Sequence, residues 1–210
     1  LAKHGIKGLF FLPTCILEEN LPVNPIIIHY CIATFGILKF VQELNYRLEK
    51  YLDNSLSYEI QFIKGKDNPD QTIEKIKKLF KYDLSSNLSR VILLDLYQTM
   101  LHIKYPDAMK IMHLTKEQIS EMLEMGHSIG THTYSHISIG STSLSDDEFN
   151  HEIVEPKNHL DKYFGIQTDF MSYPFGAMRD CLSSKELIMK TNSYKLAFTV
   201  EEIVNTKSTS

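Results

Sequence analysis

Two histidines four positions apart, His132 and His136, are the side chains of this 210-residue chain whose type and spacing best suit metal chemistry. They stand in GTHTYSHISIG, residues 130–140, among small and hydroxyl-bearing residues. Neutral imidazoles bind zinc and similar divalent ions, and a catalytic site usually adds a third protein ligand and an open position for water. The pair therefore predicts part of a metal site, and the alternative is two surface histidines at a turn.

A helical zinc-protease motif has the same histidine spacing but does not fit this sequence. In that motif a glutamate follows the first histidine and acts as general base, whereas Thr133 occupies the position here. The glycine, serine and threonine residues around the pair are also poor helix formers. The pair is therefore predicted to lie where a strand passes into a loop.

Short strands alternating with helices are predicted to position this pair. HSIGT, residues 127–131, reads as a strand that ends just before His132, and DFMSY, residues 169–173, ends just before a Pro-Phe-Gly loop at 174–176. Such alternation is typical of a parallel α/β architecture, in which function gathers at the carboxyl ends of strands. Two further strands are predicted in IKGLFFL, residues 6–12, and YKLAFTV, residues 194–200.

Capping signals mark where the helices of this region begin and end. Three Ser or Thr residues followed three positions later by Glu or Gln predict helix starts, namely Thr115 with Gln118, Ser145 with Glu148 and Ser183 with Glu186. Gly126 and Gly165 suit the position just after a helix. Pro156 lies inside the second of these helices and is expected to kink it.

Residues 20–114 read as a mainly helical block without repeats. Apolar residues recur at helical spacing over residues 35–52 and predict an amphipathic helix. Asn68 and Pro69 predict the N-cap and first turn of a second helix. A third apolar segment, RVILLDLYQTML, follows at residues 90–101.

Composition narrows the classes of partner. The length and the 43% hydrophobic content suit one domain with a buried core. The net charge is −4 with scattered Lys and Arg, so neither a nucleic-acid footprint nor a polybasic membrane patch is expected. No apolar run is long enough to span a membrane, and no signal peptide is visible. Three cysteines lack ligand spacing and are expected to be small buried side chains, namely Cys15, Cys31 and Cys181.

Three stretches together resemble the polysaccharide deacetylase (NodB-homology) family of carbohydrate esterases: GHSIGTHTYSHISI, SYPFG and LAFTVEEIVNT. The resemblance covers residues 115–204, and IKGLFFLP resembles the second strand of that family. It implies a distorted (β/α) barrel, incomplete here, in a single domain over residues 1–210 with 20–114 as a largely helical insertion. It also implies a hydrolase that removes N-acetyl or O-acetyl groups from a carbohydrate.

The same resemblance implies roles for individual residues. A divalent ion, expected to be zinc, would be held by His132, by His136 and by an aspartate of a first-strand motif that this sequence does not contain. The backbone N–H of Phe175, which follows Pro174, is implied to stabilise the oxyanion. Ser172 stands where many members have an arginine.

Both ends of the chain are expected to be cut, because it begins with Leu1 and not with methionine. The paired aspartates would then lie upstream, and the late histidine that serves the family as general acid would lie beyond Ser210. Without these groups, we expect this piece to bind metal weakly and to be a poor catalyst.

Alternatives remain open for most of these residues. Phe175 could be a plain turn aromatic, and Tyr134 and Tyr173 could either line a sugar site or fill core. Asp169 and Asp180 flank the Pro-Phe-Gly loop and could approach the site, but as exposed caps or turn formers they need no function. The remaining histidines are expected to be structural or superficial. Two other functions stay possible, a non-catalytic carbohydrate-binding or scaffold domain, and a hydrolase of non-sugar C–N bonds on the same fold.

Overall fold

The computed structural model describes residues 1–52 and 58–201. The chain divides into two compact units. A helical unit comprises Cys15–Ile119, and a sheet unit comprises Leu1–Thr14 together with the described residues from Ser120 onward. The assignment of residues 20–114 and 115–204 to one domain stays a prediction.

The helical unit is built from amphipathic helices. Its helices are α1 Cys15–Glu18, α2 Asn24–Phe35, α3 Ile37–Tyr51, α4 Pro69–Lys78, α5 Ser86–Leu96 and α6 Met109–Met112, and α7 Lys116–Glu124 leads out of it. A π-helical turn extends α4 at Leu79–Asp83, and another extends α5 at Tyr97–His102. The predicted helix over residues 35–52 is confirmed as α3.

The helix cap and the buried residues predicted for this unit are found in the structure. Asn68 caps α4 by accepting a hydrogen bond from the backbone N–H of Asp70, and Pro69 occupies the first turn, where a missing N–H costs nothing. The apolar stripe of α3 is fully buried at Phe40 and Leu44. The three cysteines of the chain are all buried, which confirms their predicted role as small core side chains.

The sheet unit contains four parallel strands in the order β1-β2-β3-β4. Their bounds are β1 Leu9–Leu12, β2 Ser128–Thr131, β3 Phe170–Ser172 and β4 Leu196–Phe198. Each lies within a predicted strand. The parallel α/β prediction is confirmed, whereas closure of these strands into a barrel stays a prediction.

The helix that follows the Ser145 cap contains a π-helical turn. It runs as α8 Asp146–Phe149, the π-helical turn Asn150–Val154 and α9 Glu155–Phe164. The capping box of Ser145 and Glu148 is confirmed, and Gly165 ends α9 with a φ of 63°. Pro156 lies in the first turn of α9, directly after the π-helical turn. The kink expected at Pro156 stays a prediction, and the structure places a π-helical turn directly before this proline.

The third capping prediction is wrong. The last helix, α10, covers Met178–Thr191 and begins after Ala177, so Ser183 lies inside it. The Ser183 hydroxyl donates a hydrogen bond to the carbonyl of Gly140 at 2.7 Å and does not cap a helix. The exposure expected for Asp180 is also wrong. This residue is fully buried in the first turn of α10, where it accepts a hydrogen bond from the Ser138 hydroxyl.

The core of the sheet unit packs α10 and the π-helical turn against the strands. It comprises Ile139, Ile153, Met171, Tyr173, Cys181 and Ile188. Over residues 1–52 and 58–201, none of the helices combines the length and the apolar character needed to cross a membrane.

Candidate metal centre

The loop that carries the two histidines, residues 132–136, begins where β2 ends; we call it the histidine loop. The backbone N–H of His132 donates to the carbonyl of Leu12 at 2.9 Å and so prolongs the pairing of β2 with β1. The chain then turns at Thr133, whose side-chain oxygen accepts a hydrogen bond from the backbone N–H of His136 at 2.9 Å. This turn brings the second histidine back beside the first.

The two imidazole rings are in contact. The ring centroids of His132 and His136 are 4.7 Å apart, with the ring planes at 78°. The ring of His136 also meets the ring of Phe175, with centroids 5.0 Å apart and planes at 89°. The structure thus brings together three residues that the sequence predicts to share a site.

A serine on β3 orients the first histidine. The Nδ1 atom of His132 lies 3.0 Å from the carbonyl oxygen of Ser172 and 2.7 Å from its hydroxyl oxygen. Burial lowers the pKa of His132, and the bond to the Ser172 carbonyl opposes this effect. The ring is therefore neutral at pH 7, and a proton on Nδ1 leaves the Nε2 lone pair available to a metal.

Backbone strain is concentrated at the histidine loop and the Pro-Phe-Gly loop. Among the described residues, five non-glycine residues have positive φ, and two of these are asparagines, which tolerate that region. The other three are Thr133 at 60°, His136 at 65° and Phe175 at 67°. Such strain persists only where surrounding contacts enforce it, and it is frequent at functional sites.

The Pro-Phe-Gly loop, residues 174–176, is fixed by the segment that includes and follows β4. The backbone N–H of Tyr173 donates to the carbonyl of Phe198 at 2.9 Å, and that of Val200 donates to Gly176 at 3.1 Å. A Cβ atom on Gly176 would lie 2.9 Å from the backbone nitrogen of Val200, so only glycine fits this close approach. Pro174 is buried and fixes its own φ.

The two tyrosines predicted to line a sugar site are both buried. Tyr173 is 6% exposed and lies in the hydrophobic core, where burial raises its pKa to about 12. Tyr134 is 8% exposed and stacks on His151, with ring centroids 4.1 Å apart. Burial favours the core-filling alternative for both, and the sugar-contacting role stays a prediction.

A buried glutamate that the sequence analysis did not single out contacts the histidine loop. Glu152 is 8% exposed, and its carboxylate accepts hydrogen bonds from the backbone N–H of Ser135 at 3.0 Å and from the Ser135 hydroxyl at 2.5 Å. Burial raises the pKa of Glu152, and the hydrogen bonds from Ser135 oppose this rise. One signal was present in the sequence, because Glu152 shares a helical face with the apolar residues Phe149 and Leu160.

The chemistry of the donor set fits part of a divalent metal site. Two imidazoles in contact, one of them oriented through Nδ1, suit two ligands of zinc or a similar ion. Over residues 1–52 and 58–201, no group of three or more His, Cys, Asp or Glu side chains is arranged to hold a metal ion. The two histidines would thus supply two ligands of a divalent metal site, which needs at least one more.

Comparison with known proteins shows similarity to one family over part of the chain. A family model described as "Polysaccharide deacetylase" matches residues 96–194, which include both histidines, Glu152 and the Pro-Phe-Gly loop. A curated relative from Bacillus subtilis (strain 168), "Putative polysaccharide deacetylase YxkH", is 38% identical over 64 residues, which are 30% of this chain and 22% of YxkH.

Two solved structures are similar over part of the chain. Streptococcus pyogenes deacetylase PplD in complex with acetate is 29% identical over 43% of this chain and 38% of that one, with a TM-score of 0.36. IcaB from Ammonifex degensii is 26% identical over 41% of this chain and 40% of the IcaB chain, with a TM-score of 0.31. The chain spans less than half the length of each of these three relatives. Residues 96–194, just under half of the chain, are therefore similar to the polysaccharide deacetylase family.

Proposed function

We propose that this chain is part of a metal-dependent hydrolase that removes N-acetyl or O-acetyl groups from a carbohydrate. The observation that carries the proposal is the contact between the His132 and His136 rings, 4.7 Å apart, inside the segment that matches the polysaccharide deacetylase family. The metal, expected to be zinc, and the closure of the strands into a (β/α) barrel are parts of the same proposal.

His132 and His136 are the proposed metal ligands. Ser172 holds the Nδ1 side of His132, so Nε2 is the nitrogen that would bind an ion. The chemistry that a divalent ion supplies at such a position is activation of water and polarisation of the acetyl carbonyl. Burial keeps the His132 ring neutral at pH 7, and only a neutral imidazole has a lone pair to offer.

Phe175 is the proposed oxyanion donor, through its backbone N–H. Pro174 precedes it and fixes the turn, and the φ of 67° at Phe175 departs from what an ordinary side chain prefers. The ring of Phe175 lies against His136, so the peptide group and the proposed ligand belong to one packed cluster. Removal of one such donor typically costs about 10² to 10³ in rate.

A deacetylation assay tests the proposal. The protein that contains this chain is incubated with chitin oligosaccharides and with O-acetylated xylan, and released acetate is measured before and after treatment with EDTA. We expect release that requires the metal and that falls by at least about 10²-fold in His132→Ala and His136→Ala, because each variant removes a metal ligand. Release that is unchanged in both variants would contradict the proposal.

A second proposal is a non-catalytic carbohydrate-binding or scaffold domain of the same fold. Binding of the same oligosaccharides without acetate release would select that function. Acetate or amine release from non-sugar amides alone would instead indicate a hydrolase of non-sugar C–N bonds.

A further inference from the structure

Glu152 joins the histidine loop to the helix that follows it by hydrogen bonds, beside the ring contact between Tyr134 and His151. Glu152 lies in the π-helical turn Asn150–Val154, and its two carboxylate oxygens accept the N–H and the hydroxyl of Ser135. Its backbone carbonyl accepts the N–H of Tyr134 at 3.0 Å. Three hydrogen bonds thus connect Glu152 to the two residues directly before His136.

The local sequence explains why Glu152 is free to make the third bond. A regular helix would use the carbonyl of residue 152 to accept from the N–H of residue 156. That residue is Pro156, which has no N–H. The carbonyl of Glu152 is therefore available to Tyr134, in a turn that is already widened.

We infer that Glu152 is a positioning residue, which holds the histidine loop so that the His136 ring stays against the His132 ring. The inference rests on the proposed metal-binding function of these two histidines. His136 adopts a φ of 65°, a conformation that a free loop would abandon. Fixing the neighbouring peptide group of Ser135 removes that freedom, and a buried carboxylate with two donors is a firm anchor.

Alternative roles for Glu152 fit the contacts less well. Its carboxylate oxygens are engaged by Ser135, and it is not grouped with the histidines as a third ligand among the described residues. A purely stabilising role would not require the bonds to fall on the histidine loop. Burial raises the pKa of Glu152, because the charged carboxylate is unfavourable in a desolvated position. The residue is therefore a costly choice for a purely stabilising role.

Four variants of the full chain separate positioning from stability. Glu152→Met keeps the buried volume and removes both acceptors, and Glu152→Ala removes the side chain. Glu152→Gln keeps an oxygen that accepts from the Ser135 N–H. Glu155→Ala is the matched control. It removes a half-exposed carboxylate from the same helix, and this carboxylate pairs with His151.

Two measurements are made on each variant. The first is Zn²⁺ affinity by calorimetry, with the His132→Ala/His136→Ala double variant as background. We expect affinity to weaken about 10- to 100-fold in Glu152→Met, as for other groups that orient metal ligands, and to stay within about threefold in Glu152→Gln. Glu155→Ala should match the wild-type protein. The second measurement is the NOE between the His132 and His136 rings without metal, which should persist in Glu152→Gln and disappear in Glu152→Met.

The outcomes distinguish failure of this inference from failure of the proposed function. If the wild-type protein binds Zn²⁺ no more tightly than the His132→Ala/His136→Ala variant, the proposed metal site is contradicted. Unchanged affinity and an unchanged NOE in folded Glu152→Met would overturn the positioning role alone. If Glu152→Ala fails to fold, Glu152→Met and Glu152→Gln still decide the question, because both preserve the buried volume.

Discussion

At the scale of single residues, two histidines of the sheet unit are held in opposite ways through Nδ1. His127 accepts a hydrogen bond at Nδ1 from the backbone N–H of Gly8 at 3.0 Å, so its proton must lie on Nε2. His132 faces the Ser172 carbonyl at 3.0 Å, and a carbonyl can only accept, so its proton is expected on Nδ1. Nitrogen-15 NMR of the ring nitrogens in the metal-free protein should therefore show opposite tautomers for the two residues.

The Ser172 hydroxyl provides the control for this prediction. It lies 2.7 Å from Nδ1 of His132 and could donate to it in the other tautomer. Ser172→Ala removes the hydroxyl and keeps the carbonyl, so the Nδ1–H tautomer should persist. An Nε2–H tautomer for His132 in the wild-type protein would contradict the prediction, because it would block the nitrogen proposed to bind metal.

His113 in the helical unit is expected to make stability depend on pH. Burial, with a contribution from the positive charge of Arg90, lowers the pKa of His113 from 6.5 to about 4. The unfolded chain then binds more protons than the folded chain between these two values. Stability should be complete above pH 6.5 and fall as the pH drops toward 4. At about 1.4 kcal/mol per pKa unit, and allowing for screening at a half-buried ring, the loss is about 1 to 2 kcal/mol.

Urea unfolding followed by far-UV circular dichroism at several pH values measures this loss. His113→Phe keeps an aromatic ring that does not titrate and should flatten the dependence between pH 6.5 and 4. His29→Phe is the control in the same unit, and it should keep the wild-type dependence because the His29 side chain is exposed. An equally steep dependence in His113→Phe would show that other groups cause it.

From the sequence, the residues of the candidate site could be predicted only where residue type and spacing indicate their chemistry. The histidine pair and the Pro-Phe-Gly loop follow directly after strands, and the carboxyl ends of neighbouring parallel strands lie at one edge. Glu152 could not be placed with them, because its contact with Ser135 joins a helix to a loop 17 residues earlier in the chain. Its position on an apolar helical face was the available signal.

At the scale of elements, a buried guanidinium joins α3 to α5. Arg47 is 4% exposed, and its side chain pairs with Glu43 at 2.8 Å and with Asp95 at 3.2 Å. Removal of one partner from such a group leaves charges without compensation. We expect Arg47→Ala to lower the free energy of unfolding by about 2 to 4 kcal/mol, slightly below the range for fully buried pairs because both carboxylates keep some solvent contact.

Lys39 offers a matched control for Arg47. It also pairs with Glu43, at 2.6 Å, but its side chain is 55% exposed. Exposed pairs contribute about 0 to 1 kcal/mol, so Lys39→Ala should change the urea unfolding midpoint little. Equal losses in the two variants would mean that the burial of Arg47 has no energetic consequence.

The elements themselves were predicted well where a local signal acts alone. Asn68 and Ser145 cap helices because each side chain finds the N–H groups of its own first turn. Ser183 has the same local pattern but bonds to Gly140, a residue 43 positions earlier. Ala177, which has no capping side chain, precedes α10 instead. Tertiary contacts decided this helix start, and no local pattern could have revealed them.

At the scale of the whole chain, the described core of each unit consists of packed apolar side chains. The sheet unit is held by a hydrophobic core, by strand pairing and by the contacts of Glu152, and the helical unit by its buried apolar stripes and Arg47. In the part of the chain that the structure describes, no three metal-ligating side chains converge. A structural metal site, in contrast, supplies folding energy outright, and chelators unfold proteins that depend on one.

Metal removal should therefore leave the fold of this chain intact. We expect thermal unfolding in EDTA to match that of the untreated protein, whereas Zn²⁺ at ten times its dissociation constant should stabilise the chain by about 1.4 kcal/mol. That gain corresponds to a rise in Tm of about 3 to 6 °C for a chain of this size. The His132→Ala/His136→Ala variant should lose the rise and keep the EDTA curve, since it lacks both proposed ligands. A Tm that falls in EDTA would instead indicate a structural metal, and these two histidines would then belong to the core of the fold.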